Sequence, residues 1–359
     1  MQTLSNTNLE ELIKLAIKSG ASDIHINSEN YAALRVHGDL NYIQETGIFS
    51  RESLEKFLTE ILNDSQLERF NRTGDLDFAY TFPPQRFRGS AYREMNGVSL
   101  TFRLVPSVIR SLDELGLPEV LKTMAGKHRG LFLATGPTGH GKSSTLAAII
   151  GEINHQRKAH IVTIEDPIEY IHTPAKSVIH QREIGHDTEN FASGIRHVLR
   201  QDPDVIMIGE MRDLETIGAA ITAAETGHLV FGTLHTQDAS QSIERIVDVF
   251  PPHQQNQIRL QLAYTLLGIC SQQLIPAADV KGRVCATEIM ITTPAIRASI
   301  REGKISSIRN ALMTGMSVGM HTMEQDLARL FREGRISRAT AKDYAYDQPE
   351  LERMMSAKM

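Results

Sequence analysis

Gly136-Pro137-Thr138-Gly139-His140-Gly141-Lys142-Ser143 fits G-x-x-x-x-G-K-[ST], the loop that cradles the phosphates of a nucleoside triphosphate. The spacing has a mechanical meaning. Glycines let the backbone curl so that successive N–H groups point inward at the phosphates. Lys142 adds a point charge, and the Ser143 hydroxyl can ligate Mg²⁺. The apolar run 131–134 before the loop predicts a short buried strand, and the Ala- and Ile-rich run 144–153 after it predicts a helix. Strand, loop and helix in this order set an anion at a helix N-terminus, where free N–H groups and the helix dipole favour it. The chain is therefore expected to bind a nucleotide.

Outward from the loop, strands are predicted at 130–134, 161–165, 205–208 and 229–233, with helices between them at 191–200 and 214–226. Such alternation argues a parallel sheet wrapped by helices, an α/β core spanning 119–290. From 291 to 359 the pattern reads mostly helical, with Gly303, Gly315, Gly319 and Gly334 as stops. Upstream the pattern differs. Leu9, Leu12, Ile13, Ala16 and Ile17 mark one face of a helix that Gly20 ends, and Asp23-Ile24-His25-Ile26 alternates like a strand. Runs 33–36 and 40–43 bracket a hairpin signal at His37-Gly38-Asp39; a helix at 51–63 and strands at 76–81, 86–94 and 98–104 follow. These make a smaller α+β domain over 1–105. Pro106, Gly116 and Pro118 punctuate an expected linker at 106–118.

Composition excludes several classes. A net charge of −5 gives no global pull toward nucleic acid, and aromatics at 6 % with no Trp supply no stacking platform for single strands. No apolar run is long enough to span a bilayer, and the polar start, residues 1–10, lacks a signal-peptide core. Two cysteines, Cys270 and Cys285, exclude a four-cysteine zinc ribbon and read as free thiols. The expectation is a cytoplasmic protein, at most peripheral to a membrane.

Further chemistry follows the loop. Val205-Ile206-Met207-Ile208-Gly209-Glu210 is an apolar strand that ends in a carboxylate, as a Walker B strand requires. Gly209 stands where an Asp commonly ends that strand. Thr163-Ile164-Glu165-Asp166-Pro167-Ile168-Glu169 ends an earlier strand in acids that could orient water or support a metal; a solvated strand end before a proline turn fits these residues equally well. His228 and His235 flank the apolar run 229–234, and either imidazole could sense a γ-phosphate by hydrogen bonding. A lone histidine is more often a satisfied structural residue, but these two border a sheet that carries both acid clusters. Arg86, Arg88, Arg93 and Arg103 crowd the last strands of the first domain. A solvated basic face is the ordinary reading, and an arginine finger toward a nucleotide the sharper one.

The loop, the acid box 163–169, Gly209-Glu210-Met211-Arg212-Asp213, and Glu225-Thr226-Gly227-His228 through Thr233-Leu234-His235-Thr236 occur in this order. Together they resemble the four boxes of the secretion-type ATPases that drive type II secretion and type IV pili. Ala295-Ile296-Arg297-Ala298-Ser299-Ile300-Arg301-Glu302-Gly303-Lys304 is similar to the A-I-R-N-L-I-R-E motif of PilT-like retraction ATPases, with Ala298 and Ser299 in place of Asn and Leu. Ala21-Ser22-Asp23-Ile24-His25 extends the resemblance toward the start of the chain. The resemblance implies a RecA-like P-loop ATPase core, a PAS-like first domain and a homohexamer working at a pilus platform protein of the inner membrane, with other pilus ATPases among its expected partners.

Its residue roles carry over by position. Gly136, Pro137, Thr138, Gly139, His140, Gly141, Lys142, Ser143 and Ser144 would bind ATP and Mg²⁺. Glu210 would be the Walker B glutamate and first choice as base, and Glu165 the acid-box glutamate. His228 would sense the γ-phosphate with support from His235, and Arg88 and Arg103 would complete the site. His140 replaces the usual Ser at a position expected to contribute mainly backbone. The long extra N-terminal domain and four-cysteine insertion of assembly and secretion ATPases have no counterpart here, which favours pilus retraction over assembly or secretion. A RecA-like nucleic-acid translocase is the alternative of a different class.

Overall fold

The computed structural model describes residues 6–36, 39–83, 85–105, 108–278 and 282–356. His37 and Gly38 of the expected hairpin, Pro106 at the head of the expected linker, and the side chain of Leu9 lie outside what is described. The chain divides into two compact units, one running to Val108 and taking in Glu169–Ile171, the other formed by the rest.

In the first unit the order is α1 (Asn6–Ser19), β1 (Ala21–Asn27), β2 (Asn30–Val36), β3 (Asp39–Phe49), α2 (Arg51–Ile61), α3 (Asp64–Thr73), β4 (Asp75–Phe82), β5 (Gln85–Glu94) and β6 (Gly97–Leu104). The strands form one antiparallel sheet ordered β3-β2-β1-β6-β5-β4. Leu12, Ile13 and Ala16, three to four residues apart on α1, are buried with Ile24, Ile26, Phe57, Phe70, Phe87 and Phe102 in its core. The helix expected at 51–63 is α2, Arg51–Ile61, and a further helix that was not foreseen, α3, follows it at Asp64–Thr73. Asn63 accepts from the Gln66 N–H while the Gln66 side chain accepts from the Asn63 N–H, and this reciprocal cap starts α3 afresh.

The second unit continues with α4 (Lys122–Ala125), β7 (Gly130–Thr135), α5 (Lys142–Gln156), β8 (His160–Glu165), β9 (Val178–Glu183), α6 (Phe191–Val198), β10 (Val205–Ile208), α7 (Leu214–Glu225) and β11 (Leu229–Leu234). Then come α8 (Ala239–Asp248), α9 (Pro252–Thr265), β12 (Leu266–Pro276), β13 (Arg283–Ile291), α10 (Pro294–Glu302), α11 (Ser306–Thr314), α12 (Met323–Arg332), α13 (Arg338–Tyr344) and α14 (Gln348–Ser356). Seven strands form a sheet ordered β13-β12-β7-β11-β10-β8-β9. All neighbours are parallel except β13, which runs antiparallel to β12 and was not foreseen.

Alternation along the strands explains the layers. Leu131 and Leu133 of β7 face one way, into a core with residues of α6, α7, α8 and α9. Phe132 and Ala134 face the other way, onto Leu146, Ile149, Ile150 and Ile153 of α5. A strand buried on both faces reads as an unbroken apolar run, which is why β7, β10 and β11 were legible. The expected linker also contributes to this unit: Leu112 and Leu117 are buried in the same core as Phe132. Among the described residues no helix is long and apolar enough to cross a membrane.

Candidate nucleotide site

Parallel strands present their C-terminal ends on one edge of a sheet, and ligands collect there. Four adjacent strands, in the order β7, β11, β10 and β8, deliver four groups to that edge: the phosphate loop, His235, Glu210 and Glu165. The loop leaves β7 at Gly136 and enters α5 at Lys142. Gly136, Gly139 and Gly141 have φ of +134°, +79° and +86°, conformations that side-chain-bearing residues seldom adopt. They bend the chain so that the first turn of the 15-residue α5 opens on the loop.

Lys142 is buried, and its Nζ donates to the carbonyls of Gly136 at 2.7 Å and Pro137 at 2.9 Å. The same atom stands 3.4 Å from Nδ1 of His235. Thr138 Oγ1 lies at 3.4 Å from that nitrogen as well. The other ring nitrogen, Nε2, lies 2.5 Å from Glu210 Oε1. A carboxylate only accepts and an ammonium only donates, so His235 carries its proton on Nε2 and offers the Nδ1 lone pair to Lys142 and Thr138. Arg212 Nε also donates to Glu210 Oε1. His235 thus joins the loop lysine to the carboxylate that ends the β10 strand.

Gly209 explains the missing Asp at that strand end. A Cβ there would stand 3.2 Å from Glu165 Cα and 3.3 Å from the Ile164 carbonyl, while the Gly209 N–H donates to that carbonyl at 2.8 Å. The glycine lets the ends of β10 and β8 close on each other. Glu165 is buried, and its Oε1 accepts from Thr163 Oγ1 at 2.6 Å and Gln181 Nε2 at 3.3 Å. Gln181, on β9, escaped the sequence reading because β9 itself is short and mixed in polarity.

His228 is not brought to the loop. It precedes β11 at the opposite edge of the sheet, and its carbonyl accepts from the Gly130 N–H at the start of β7. Its Nδ1 lies 3.0 Å from the Ala223 carbonyl and 3.3 Å from Thr226 Oγ1, contacts that cap the end of α7. Within this chain it is His235, expected only to support, that lies beside the loop, and His228, expected to lead, that does not. The signal was available: β11 runs parallel to β7, so only its C-terminal residue can reach the loop.

Arg88 and Arg103 face each other across β5 and β6 in the first unit. Arg103 Nε donates to Asp23 Oδ1 at 2.8 Å, and an Arg88 guanidinium nitrogen lies 3.7 Å from Asp77 Oδ2. Burial pushes the Asp23 carboxyl up, but hydrogen bonds from Ser22 and Arg103 hold it below its ordinary value.

The model of the Type II/IV secretion system protein family matches residues 3–335. The chain belongs to that family. It is 44 % identical over 339 residues to the type IV pilus retraction ATPase PilT of Pseudomonas aeruginosa, covering 94 % of this chain and 98 % of the relative. It is 46 % identical over 319 residues to a twitching motility protein of Neisseria gonorrhoeae, covering 89 % and 85 %. A crystal structure of the pilus retraction motor PilT with bound ADP superposes with a TM-score of 0.90 at 42 % identity, covering 96 % of this chain and 98 % of that one. The α/β architecture is thus the one this secretion family shares, with an N-terminal α+β domain and a RecA-like core.

Proposed function

We propose that this chain is an ATP-hydrolysing motor that powers retraction of a type IV pilus, acting as a homohexamer against a platform protein at the inner membrane. The observation that carries the enzymatic part is the contact of His235 with both Lys142 and Glu210. It gathers a phosphate-binding cation, a polar sensor and a carboxylate base on one sheet edge. Similarity to retraction and twitching proteins over nearly the whole chain supports the biological part.

In this reading, the N–H groups from Gly136 to Ser144 and the Lys142 ammonium hold the phosphates, and Lys142 exchanges its loop carbonyls for phosphate oxygens. The oxygen donors Ser143 Oγ, Glu165 and Glu210 suit Mg²⁺: they would hold it directly or through water, and it would supply positive charge to the phosphates. Glu210 accepts a proton from water as that water attacks the γ-phosphorus and the bond to ADP breaks, giving ADP and phosphate. His235, with its proton on Nε2, keeps the Glu210 carboxylate aimed. Arg88 and Arg103 supply charge to a nucleotide by exchanging their carboxylate partners.

Glu210→Gln tests this reading. The variant is expected to bind ATP with near-native affinity and to release phosphate more than about 10²-fold more slowly. Normal phosphate release by Glu210→Gln, with loss in Glu165→Gln instead, would move the base to Glu165. In the bacterium, deletion is expected to leave excess surface pili and no twitching; loss of pili would favour assembly.

A further inference from the structure

β12 has eleven residues where β7 beside it has six. Their ladder ends with Ser271 opposite Thr135, so Gln272, Gln273 and Leu274 run on past the end of β7. The edge that β7 no longer covers meets the phosphate loop. A Cβ on Gly136 would stand 2.3 Å from the Gln272 carbonyl oxygen. Gln272 Nε2 donates to the His140 carbonyl at 2.9 Å, and the Leu274 N–H donates to His140 Nδ1 at 3.1 Å. A backbone N–H in such a place needs an acceptor, and the imidazole supplies what the next carbonyl of a longer β7 would have supplied.

We propose that His140 and Gln272 are positioning residues that hold the phosphate loop to β12, so that a side chain at the loop's variable position sets part of the nucleotide affinity. This rests on the loop being the nucleotide site. The side chain of His140 is thus engaged, contrary to the expectation that its position contributes mainly backbone.

The chemistry of both side chains is restrictive. To accept from Leu274, His140 must keep Nδ1 unprotonated and carry its proton on Nε2. Burial, and then the charges of Lys142 and Arg283, press the ring pKa below its ordinary value and keep that lone pair available. Gln272 is 1 % exposed, and among the described residues its Oε1 has no hydrogen-bond partner. Its amide is oriented by Nε2 alone, through the His140 carbonyl and a 3.7 Å contact with Cys285 Sγ. A buried amide that forgoes one bond to make that contact is matched to the loop rather than to its own strand.

The test compares the unsubstituted full chain with His140→Leu and His140→Asn, using titration with a fluorescent ADP analogue, steady-state ATP hydrolysis, and amide hydrogen exchange over 272–276. Leu removes the acceptor; Asn can present Oδ1 near the place of Nδ1. His140→Leu is expected to bind the analogue about 3- to 10-fold more weakly, the worth of one hydrogen bond, with a larger rise in KM than fall in kcat and faster exchange at Leu274. His140→Asn should recover most of both affinity and protection. Should the leucine variant melt early by circular dichroism, His140→Ala serves in its place. Native affinity and native protection in the acceptor-less variant overturn the proposal, as does failure of Asn to rescue. Failure of the unsubstituted chain to bind the analogue would instead sink the nucleotide reading, and this proposal with it.

Discussion

Nε2 of His235 stands 2.5 Å from Oε1 of Glu210, and Nδ1 of the same ring stands 3.4 Å from Nζ of Lys142. One imidazole therefore touches the cation expected to hold phosphate and the anion expected to activate water. His235→Ala should lower kcat by about 10²-fold, the scale seen when one aimed polar group is removed from a reacting centre. His228→Ala removes only contacts to Ala223 and Thr226, on the far edge of the sheet, and should leave kcat within a few-fold. Phosphate-release assays on the two variants decide between the histidines; equal losses would refute the assignment.

The glycines of the loop are expected to differ in tolerance. Gly136→Ala would set a methyl 2.3 Å from a backbone oxygen of β12 at a φ of +134°, so it should abolish nucleotide binding or folding of the loop. Gly139 has no atom within 4 Å of its would-be Cβ, so Gly139→Ala should carry only backbone strain of about 1 kcal/mol, roughly fivefold in affinity. Titration of both variants with ADP measures the contrast.

A pH dependence of stability should trace to Glu288. This carboxyl, 3 % exposed on β13, accepts from the Ala239 N–H at 2.9 Å. Burial, then nearby Asp238 and Glu324, raises its pKa to about 7, against the hydrogen bond from Ala239 and the charge of Arg309. With the folded value above the unfolded one, the folded chain binds more protons between the two, so this group's contribution is lost as pH rises from about 4.5 to 7. His172 acts in the opposite sense. Burial lowers its pKa to about 4, so its contribution is lost as pH falls below about 6.5. Glu288→Gln removes the first effect and leaves the second. The gain in melting temperature of Glu288→Gln over the unsubstituted chain should therefore grow from pH 5 to pH 8; a constant difference would exclude Glu288.

Arg309 braces the C-terminal helices. Its guanidinium lies 2.5 Å from Glu350, 3.3 Å from Glu324 and 3.8 Å from Asp347, and the Glu324 side chain is fully buried. Arg309→Ala would leave Glu324, among the described residues, with the N–H groups of Tyr346 and Asp347 as its remaining hydrogen-bond partners. A loss of about 2 kcal/mol is expected, less than for a fully buried pair because Arg309 is itself 39 % exposed. A lower urea midpoint, with the nucleotide affinity unaltered, is the measurement.

The phosphate loop and the central strands were legible because their burial is continuous and their glycines carry the geometry. β12 and β13 were not. Their centres, Ser271-Gln272-Gln273 and Thr287-Glu288, are polar yet buried, and they hydrogen-bond to partners such as Thr135, Asp326 and the N-terminus of α8. Such residues break the apolar run that marks a buried strand. Helix α3 was not foreseen either: Phe70 is its one buried residue among those described, so it carries little apolar periodicity. The positions of His228 and His235 at opposite ends of β11 could have been read from strand direction alone. Arg88 and Arg103 were legible only as members of a crowd of arginines on the last strands; that they face each other and are tied to Asp77 and Asp23 depends on strand register, which the sequence does not show.

The direction of the strands has a practical use. The loop chemistry lies at one edge of the sheet, while Lys127, His128, Arg129 and Asp202 are exposed near the other, about 20 Å away along six residues of strand. Both native thiols are expected to resist alkylation: Cys270 is fully buried, and burial, then Asp326, pushes Cys285 up to about 12. A cysteine introduced at Lys127 would then be the one that a maleimide dye selects. A fluorophore there could report turnover in single molecules and spare every group that handles phosphate.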